Sequence, residues 1–187
     1  VYLTSFSPDG RLLATASYDR TVRLWDVTDR DRPRPLGEPL TGHRSWVSSA
    51  VFSPDGRTLV SASDDGTVRL WDVADPRRGR QLGAPLTGHT GPIWSVAFNP
   101  DGNTLAAASA DSTASLWNVS DPAYPSQVGE PLAGASGEMY ALGFSPDGRT
   151  LATGSGDSKV RLWSIPTSDM IGRSGAFRPD GKVLATA

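Results

Sequence analysis

The stretch Thr67–Val73, TVRLWDV, alternates strictly between two faces. Val68 and Leu70 fall on one face and Thr67, Arg69 and Trp71 on the other, the period of a half-buried strand. The pattern recurs: residues 15–26 read TASYDRTVRLWD, 61–72 SASDDGTVRLWD, 107–118 AASADSTASLWN and 153–164 TGSGDSKVRLWS. Trp25, Trp71, Trp117 and Trp163 are each 46 residues apart. A fixed spacing of that length marks stacked copies of one supersecondary unit.

A second marker keeps the same register. FSPDG at 6–10 returns as FSPDG at 52–56, FNPDG at 98–102 and FSPDG at 144–148. Pro presets a turn φ, Asp bonds back to the backbone and Gly supplies positive φ, so each copy predicts a strand–PDG–strand hairpin. Asp9, Asp55, Asp101 and Asp147 read as turn formers rather than catalytic carboxylates.

Each unit therefore predicts four strands, and no helical periodicity of useful length is present. In the second unit they fall near 46–52, 57–63, 67–73 and 82–87. The first unit places its third and fourth strands at 21–27 and 36–41, and the third unit at 113–119 and 128–133. The connections DRDRPRP at 29–35, DPRRGR at 75–80 and DPAYPSQ at 121–127 are Pro-rich and polar, hence surface loops. Arg30, Arg32 and Arg34, then Arg77, Arg78 and Arg80, make two of them basic. Asp29, Asp31 and Asp75 favour a solvated, partly neutralised loop over a phosphate-binding patch, and no aromatics interleave for base stacking.

The units divide as 1–41, 42–87, 88–133 and 134–165, with a partial fifth over 172–187. From Trp25 to Phe52 is 27 residues, but from Trp163 to Phe177 is 14. The fourth unit is thus expected to lack its outer strand, and FRPDGKVLATA to supply only the opening hairpin of a fifth. Such an array is expected to be an open arc, a fragment of a larger structure, that self-associates through unpaired strand edges.

Bulk composition narrows the chemistry. Lys and Arg number 18 and Asp and Glu 20, a net charge of −2, which gives no overall field for nucleic acid or an anionic membrane. There is no cysteine, so neither disulfide nor thiolate chemistry is available. No apolar run reaches the roughly 20 residues of a membrane span. Val1 already lies inside a repeat, so the true N-terminus is read as absent and targeting is not judged.

Gly-His before the first strand, FSPDG, and SxDxTVRLWD at this spacing resemble the WD-repeat (WD40) family, covering nearly the whole chain. The resemblance implies an all-β propeller of four-stranded antiparallel blades, here about four plus a partial fifth. It also implies a polar link of His, Ser or Thr, Asp and Trp in each blade. The matching positions are Thr15, Asp19 and Trp25 in blade one, and His43, Ser61, Asp65 and Trp71 in blade two. Blade three has His89, Asp111 and Trp117, with Ala107 at the hydroxyl position and Ser109 as substitute. Blade four has Thr153, Asp157 and Trp163, with Ala135 in place of the His. Ser63 is an alternative to Ser61. Blade two is expected to be the best ordered and blade four looser. His43 and His89 stand at equivalent places in different blades, which opposes a shared metal or catalytic role.

The resemblance further implies a platform for protein partners of unknown identity, without enzyme activity or cofactor. Contact positions carried over from the family are Tyr2 and Tyr18; Trp46, Ser48 and Asp64; Pro92, Trp94 and Ala110; and Glu138, Tyr140 and Gly156. Five of these eleven are aromatic against 8% of the chain, the composition of an interface, although inter-blade packing is the competing reading. The linkers look like those of bacterial WD-repeat regions joined to signalling proteins, which implies a sensor or docking module in the cytoplasm. The alternatives are a non-functional partial gene product and a propeller enzyme.

Overall fold

The computed structural model describes residues 1–165 and the strand at 182–186. Its strands form four antiparallel four-stranded sheets, one per repeat. Sheet one is β1 (Leu3–Phe6), β2 (Leu12–Ala16), β3 (Val22–Asp26) and β4 (Arg34–Leu40). Sheet two is β5 (Val47–Phe52), β6 (Thr58–Ser63), β7 (Val68–Asp72) and β8 (Arg80–Leu86). Sheet three is β9 (Ile93–Phe98), β10 (Thr104–Ser109), β11 (Ala114–Asn118) and β12 (Ser126–Gln127). Sheet four is β13 (Met139–Phe144), β14 (Thr150–Ser155), β15 (Lys159–Ser164) and β16 (Lys182–Thr186). Among the described residues the only helical segment is a 3-10 turn, Pro76–Arg78.

Turn chemistry sets the hairpins. In the first, Ser7 Oγ donates to Asp9 Oδ1 at 2.6 Å, and the same oxygen accepts from Arg11 N at 3.0 Å. Gly10 adopts φ 71°, which only glycine reaches without strain. Ser53–Asp55 and Ser145–Asp147 repeat the arrangement. The Ser7 hydroxyl, with the Arg11 N–H, holds the Asp9 carboxyl below its usual range. These aspartates are turn formers.

The register then recurs. Leu13 faces Trp25, Leu59 faces Trp71, Leu105 faces Trp117 and Leu151 faces Trp163 across the central strand pair. Adjacent sheets meet at their first strands, β1 against β5, β5 against β9 and β9 against β13. The sheets fan outward from there in an arc that does not close.

The cores lie between sheets. One combines Ala14, Val22 and Leu24 of sheet one with Phe52, Leu59 and Trp71 of sheet two. The next combines Val68 and Leu70 with Ile93, Leu105 and Trp117, and the third Leu116 with Met139, Leu151 and Trp163. Burying a side chain such as Leu59 contributes about 1.5–3 kcal/mol, and here that gain needs the neighbouring sheet.

Two expectations change. The fourth strand of the third unit is not 128–133. Only Ser126–Gln127 pairs as a strand, followed by the Ala114–Leu132 bridge, because the intervening Gly129–Pro131 stretch leaves the ladder. The fourth sheet does have an outer strand. β16 pairs antiparallel with β15, in the outer position that the sequence reading left empty. Without β16, the outward N–H and C=O groups of β15 would stand unpaired, a template for an extended segment. The remainder of the 172–187 unit lies outside the described residues.

Candidate functional site

Two sets of side chains carry the predicted chemistry: the polar link inside each blade, and the rim beside the β2–β3-type turns.

The link is complete in blade two. His43 Nδ1 lies 3.1 Å from Asp65 Oδ2, and His43 Nε2 lies 2.8 Å from Ser61 Oγ. A carboxylate only accepts, so Nδ1 carries the proton and Nε2 accepts from the Ser61 hydroxyl. The Ser61 oxygen is then free to accept from the Trp71 indole N–H at 2.8 Å. Asp65 also accepts from Thr67 Oγ1 at 2.6 Å and Arg44 N at 2.8 Å. Each member has its partners, the condition under which a buried polar chain stabilises. Burial lowers the pKa of His43, outweighing the opposite pull of Asp65, so the ring is neutral at pH 7. Burial alone would raise Asp65, but the hydrogen bonds from Thr67 and Arg44 prevail and hold it low. Ser61 is fully buried and both roles of its oxygen are used, so it offers no exposed nucleophile.

Blade three is broken. His89 Nδ1 meets Asp111 Oδ2 at 2.8 Å, but His89 Nε2 is buried with no partner. Ser109 does not substitute for the hydroxyl lost at Ala107. It shares that strand face but sits two residues along, where it donates to the carbonyls of Gly91 and Pro92. The Trp117 ring stands edge-on to His89, with centroids 6.0 Å apart. Ser63, the alternative in blade two, likewise donates to a carbonyl, that of Ser45.

In blade four Trp163 donates to Thr153 Oγ1 at 2.9 Å. Asp157 has no histidine, and Arg161 takes that role. Its guanidinium donates to Asp157 Oδ2 at 2.6 Å and to the Gly134 carbonyl at 2.8 Å, and both side chains are buried. Arg161 holds the Asp157 carboxyl far below the usual range, with help from Ser155. The reading of blade four as merely deficient missed this residue. The position carried over as the missing histidine, Ala135, follows Gly134, whose carbonyl the Arg161 guanidinium reaches. In blade one Trp25 donates to Thr15 Oγ1 at 3.1 Å, while Asp19 is exposed and pairs with Arg23 at 3.5 Å.

At the rim the structure gathers three of the predicted aromatics. Tyr2 and Tyr18 meet edge to face with centroids 5.6 Å apart, and Tyr18 and Trp46 do so at 4.6 Å. All three are about half exposed. Tyr140 is also exposed, and Glu138 holds its hydroxyl above the ordinary range by hydrogen bonding and charge. Burial, with Asp65 beside it, raises Asp64. Trp94 departs from the set: it is partly covered, and its indole N–H is buried without an acceptor. Ser48 is buried too, donating to the carbonyls of Ala62 and Ile93.

The arginine loops are partly neutralised, Arg80 by Asp72 at 3.0 Å and Arg78 by Asp75 at 4.0 Å. Among the described residues no group of three or more His, Asp or Glu side chains could hold a metal ion. No helix among them is long and apolar enough to cross a membrane.

Four fanned sheets, each with an indole bonded or packed at its third strand, define a partial β-propeller of the WD type. A family profile described as "WD domain, G-beta repeat" (WD40) matches residues 2–26, 34–72, 80–118 and 127–164. The chain belongs to this family, whose repeats imply a scaffold for protein–protein interaction. Over 47 residues, 25% of the chain, the sequence is 43% identical to Telomerase protein component 1 of Rattus norvegicus, of which the match covers 2%. The shared length is about one repeat.

Proposed function

We propose that the chain is a non-catalytic scaffold that binds a protein partner through the rim centred on Tyr18 and Trp46. The observation that supports it most is the edge-to-face series Tyr2–Tyr18–Trp46, left half exposed on a surface where folding alone would cover such rings. Aromatic side chains lose little rotamer entropy on docking and anchor protein interfaces. Asp64, whose N–H donates to the Trp46 carbonyl, adds a polar group beside them, and Glu138 with Tyr140 offers a separate polar site on blade four. The blade links support the non-catalytic part, since Ser61 and His43 are saturated by one another.

The finer assignment is a sensor or docking module of a larger bacterial signalling protein, working in the cytoplasm. Its support is the resemblance of the linkers. Sequencing the flanking reading frame would test it, and a neighbouring frame without a signalling domain would count against it.

The rim is tested by comparing proteins retained by immobilised wild type, Trp46→Ala and Tyr18→Ala. A partner held by wild type and weakened about tenfold or more by either substitution, with unchanged melting, supports the rim. Equal retention by all three sinks it.

A further inference from the structure

Blades one and two enclose a groove of about 390 Å³ between their outer strands. It runs from Glu38–Thr41, around the end of β4, to Arg77–Gln81, around the start of β8, and buried Leu40 and Trp71 close its floor. The next blade carries the same frame 46 residues on: Pro85, Leu86, Thr87, Trp117 and Gln127 stand for Pro39, Leu40, Thr41, Trp71 and Gln81. Apart from Gly79, whose counterpart is Pro125, the residues that differ are the charged ones. Arg77, Arg78 and Arg80 stand where the third blade has Ala123, Tyr124 and Ser126, and Glu38 where the second has Ala84. The frame needs no arginine at these places, since the next junction is built without them.

The arginines sit on a turn that is fixed in place. Asp75 caps it by accepting from Arg77 N at 3.1 Å. The turn is pressed onto β4: a Cβ on Gly37 would lie 2.5 Å from the Arg77 carbonyl oxygen, and one on Gly79 would lie 2.7 Å from a methyl of Leu40. Gln81 is engaged, accepting from Arg69 Nη1 and donating to the Gly83 carbonyl. The guanidinium groups are less so. Among the described residues Arg77 has no side-chain hydrogen bond or ion pair. Arg78 reaches only Asp75, at 4.0 Å with both side chains exposed, and Arg80 holds Asp72 at 3.0 Å. From sequence alone the neighbouring aspartates favour a solvated loop, but in place they leave two of the three cations with free donors at a built groove.

We propose that this groove binds a phosphorylated serine or threonine in a segment of a partner protein. Arg77 and Arg78 take the phosphate, and the flanking residues lie along Pro39 and Thr41. A phosphate carries close to two negative charges and three acceptor oxygens, enough for two guanidinium forks, whereas one carboxylate fills only one. A turn already seated on β4 costs little ordering on binding. Glu38 in the groove, with Asp72 and Asp75 beside the arginines, opposes a broad anionic surface such as a membrane and favours one compact anion. No exposed ring lines the groove for base stacking. The groove shares no residue with the Tyr18–Trp46 rim, so the inference stands apart from the rim.

The test is fluorescence anisotropy of the full chain with labelled peptide pools, random in sequence around a central phosphothreonine or unmodified threonine. The phosphorylated pool should bind about tenfold or more tighter than the unmodified one, and should weaken with added salt. Replacing the arginines together by their blade-three counterparts, Arg77→Ala, Arg78→Tyr and Arg80→Ser, should abolish that preference. Circular dichroism and melting should not change, because those residues already occupy this register in the chain. Should the triple variant fold poorly, Arg77→Ala breaks no ion pair and should cost about tenfold alone. Arg77→Lys, which keeps the charge without the fork, should cost less. Trp46→Ala should leave the affinity unchanged. Equal binding of the two pools, binding of neither, or a preference that survives in the arginine variants would each overturn the inference. So would retention of the wild type on phosphoinositide vesicles in place of the phosphorylated pool, which would assign the groove to a lipid headgroup.

Discussion

The guanidinium of Arg161 donates to Asp157 at 2.6 Å in the fourth blade, where the second blade has His43 bonded to Asp65. One acid position is thus held by a fixed cation in one blade and by a neutral ring in another. Removing Arg161 leaves a buried carboxylate without its counter-ion, the costly half of a broken ion pair. Arg161→Ala should lower the urea midpoint several-fold more than Arg23→Ala, whose exposed pair is worth about 0.2–1 kcal/mol. Adding Ala135→His to Arg161→Ala should recover part of the loss. Equal effects of the two arginine substitutions would contradict the assignment.

Ala107 removes the hydroxyl that would satisfy His89 Nε2. Ala107→Ser supplies it, as Ser61 does for His43, and should stabilise the chain by about 1 kcal/mol. Ala107→Cys, similar in size with a weak donor, should gain less. Urea unfolding monitored by tryptophan fluorescence measures both.

His43 has a pKa below its ordinary 6.5 because it is buried. The unfolded chain binds a proton there that the folded chain resists. Its contribution is therefore whole above about pH 6.5 and is lost as pH falls toward the folded pKa. The urea midpoint should drop as pH falls below about 6.5, and His43→Gln should shrink that drop. Amide protection in blade four should change little over this window, since Arg161 keeps Asp157 ionised well below it.

Gly37 and Gly10 both have positive φ, 63° and 71°, but differ in surroundings. A Cβ on Gly37 would lie 2.5 Å from the Arg77 carbonyl oxygen, while one on Gly10 meets nothing within 4 Å. Gly10→Ala should cost about 1–2 kcal/mol, the left-handed strain alone. Gly37→Ala should cost more, because the neighbouring backbone must also move. Thermal unfolding of the two variants provides the comparison.

The repeat and its hairpins were legible because their determinants are local. The PDG turns and the alternation around Trp71 state their conformation within a few residues. The outer strands were less so. RPLGEPL and RQLGAPL show little alternation, and β4 and β8 begin at Arg34 and Arg80, each opposite an aspartate, Asp26 and Asp72. Pairing of β16 with β15 depends on a distant open edge, which no local pattern encodes. The substitution of Arg161 for a histidine was hidden for a similar reason. Arg23 and Arg69 share its register, yet Arg23 pairs near the surface and Arg69 bonds Gln81. Arg161 instead reaches Asp157 and the Gly134 carbonyl, in the blade that has Ala135 where blades two and three have histidine. Among the contact positions carried over by register, Tyr18 and Trp46 are half exposed, while Trp94 is partly covered and Ser48 is buried, a difference set by the neighbouring blade and not by local pattern.

Since each core is split between neighbours, a 46-residue insertion or deletion rejoins the same two surfaces it parts. Recombination between repeats can thus lengthen or shorten the array without designing a new joint. Blade number becomes a variable open to genetic drift, and the requirement that falls on any lineage is to end with both terminal surfaces occupied.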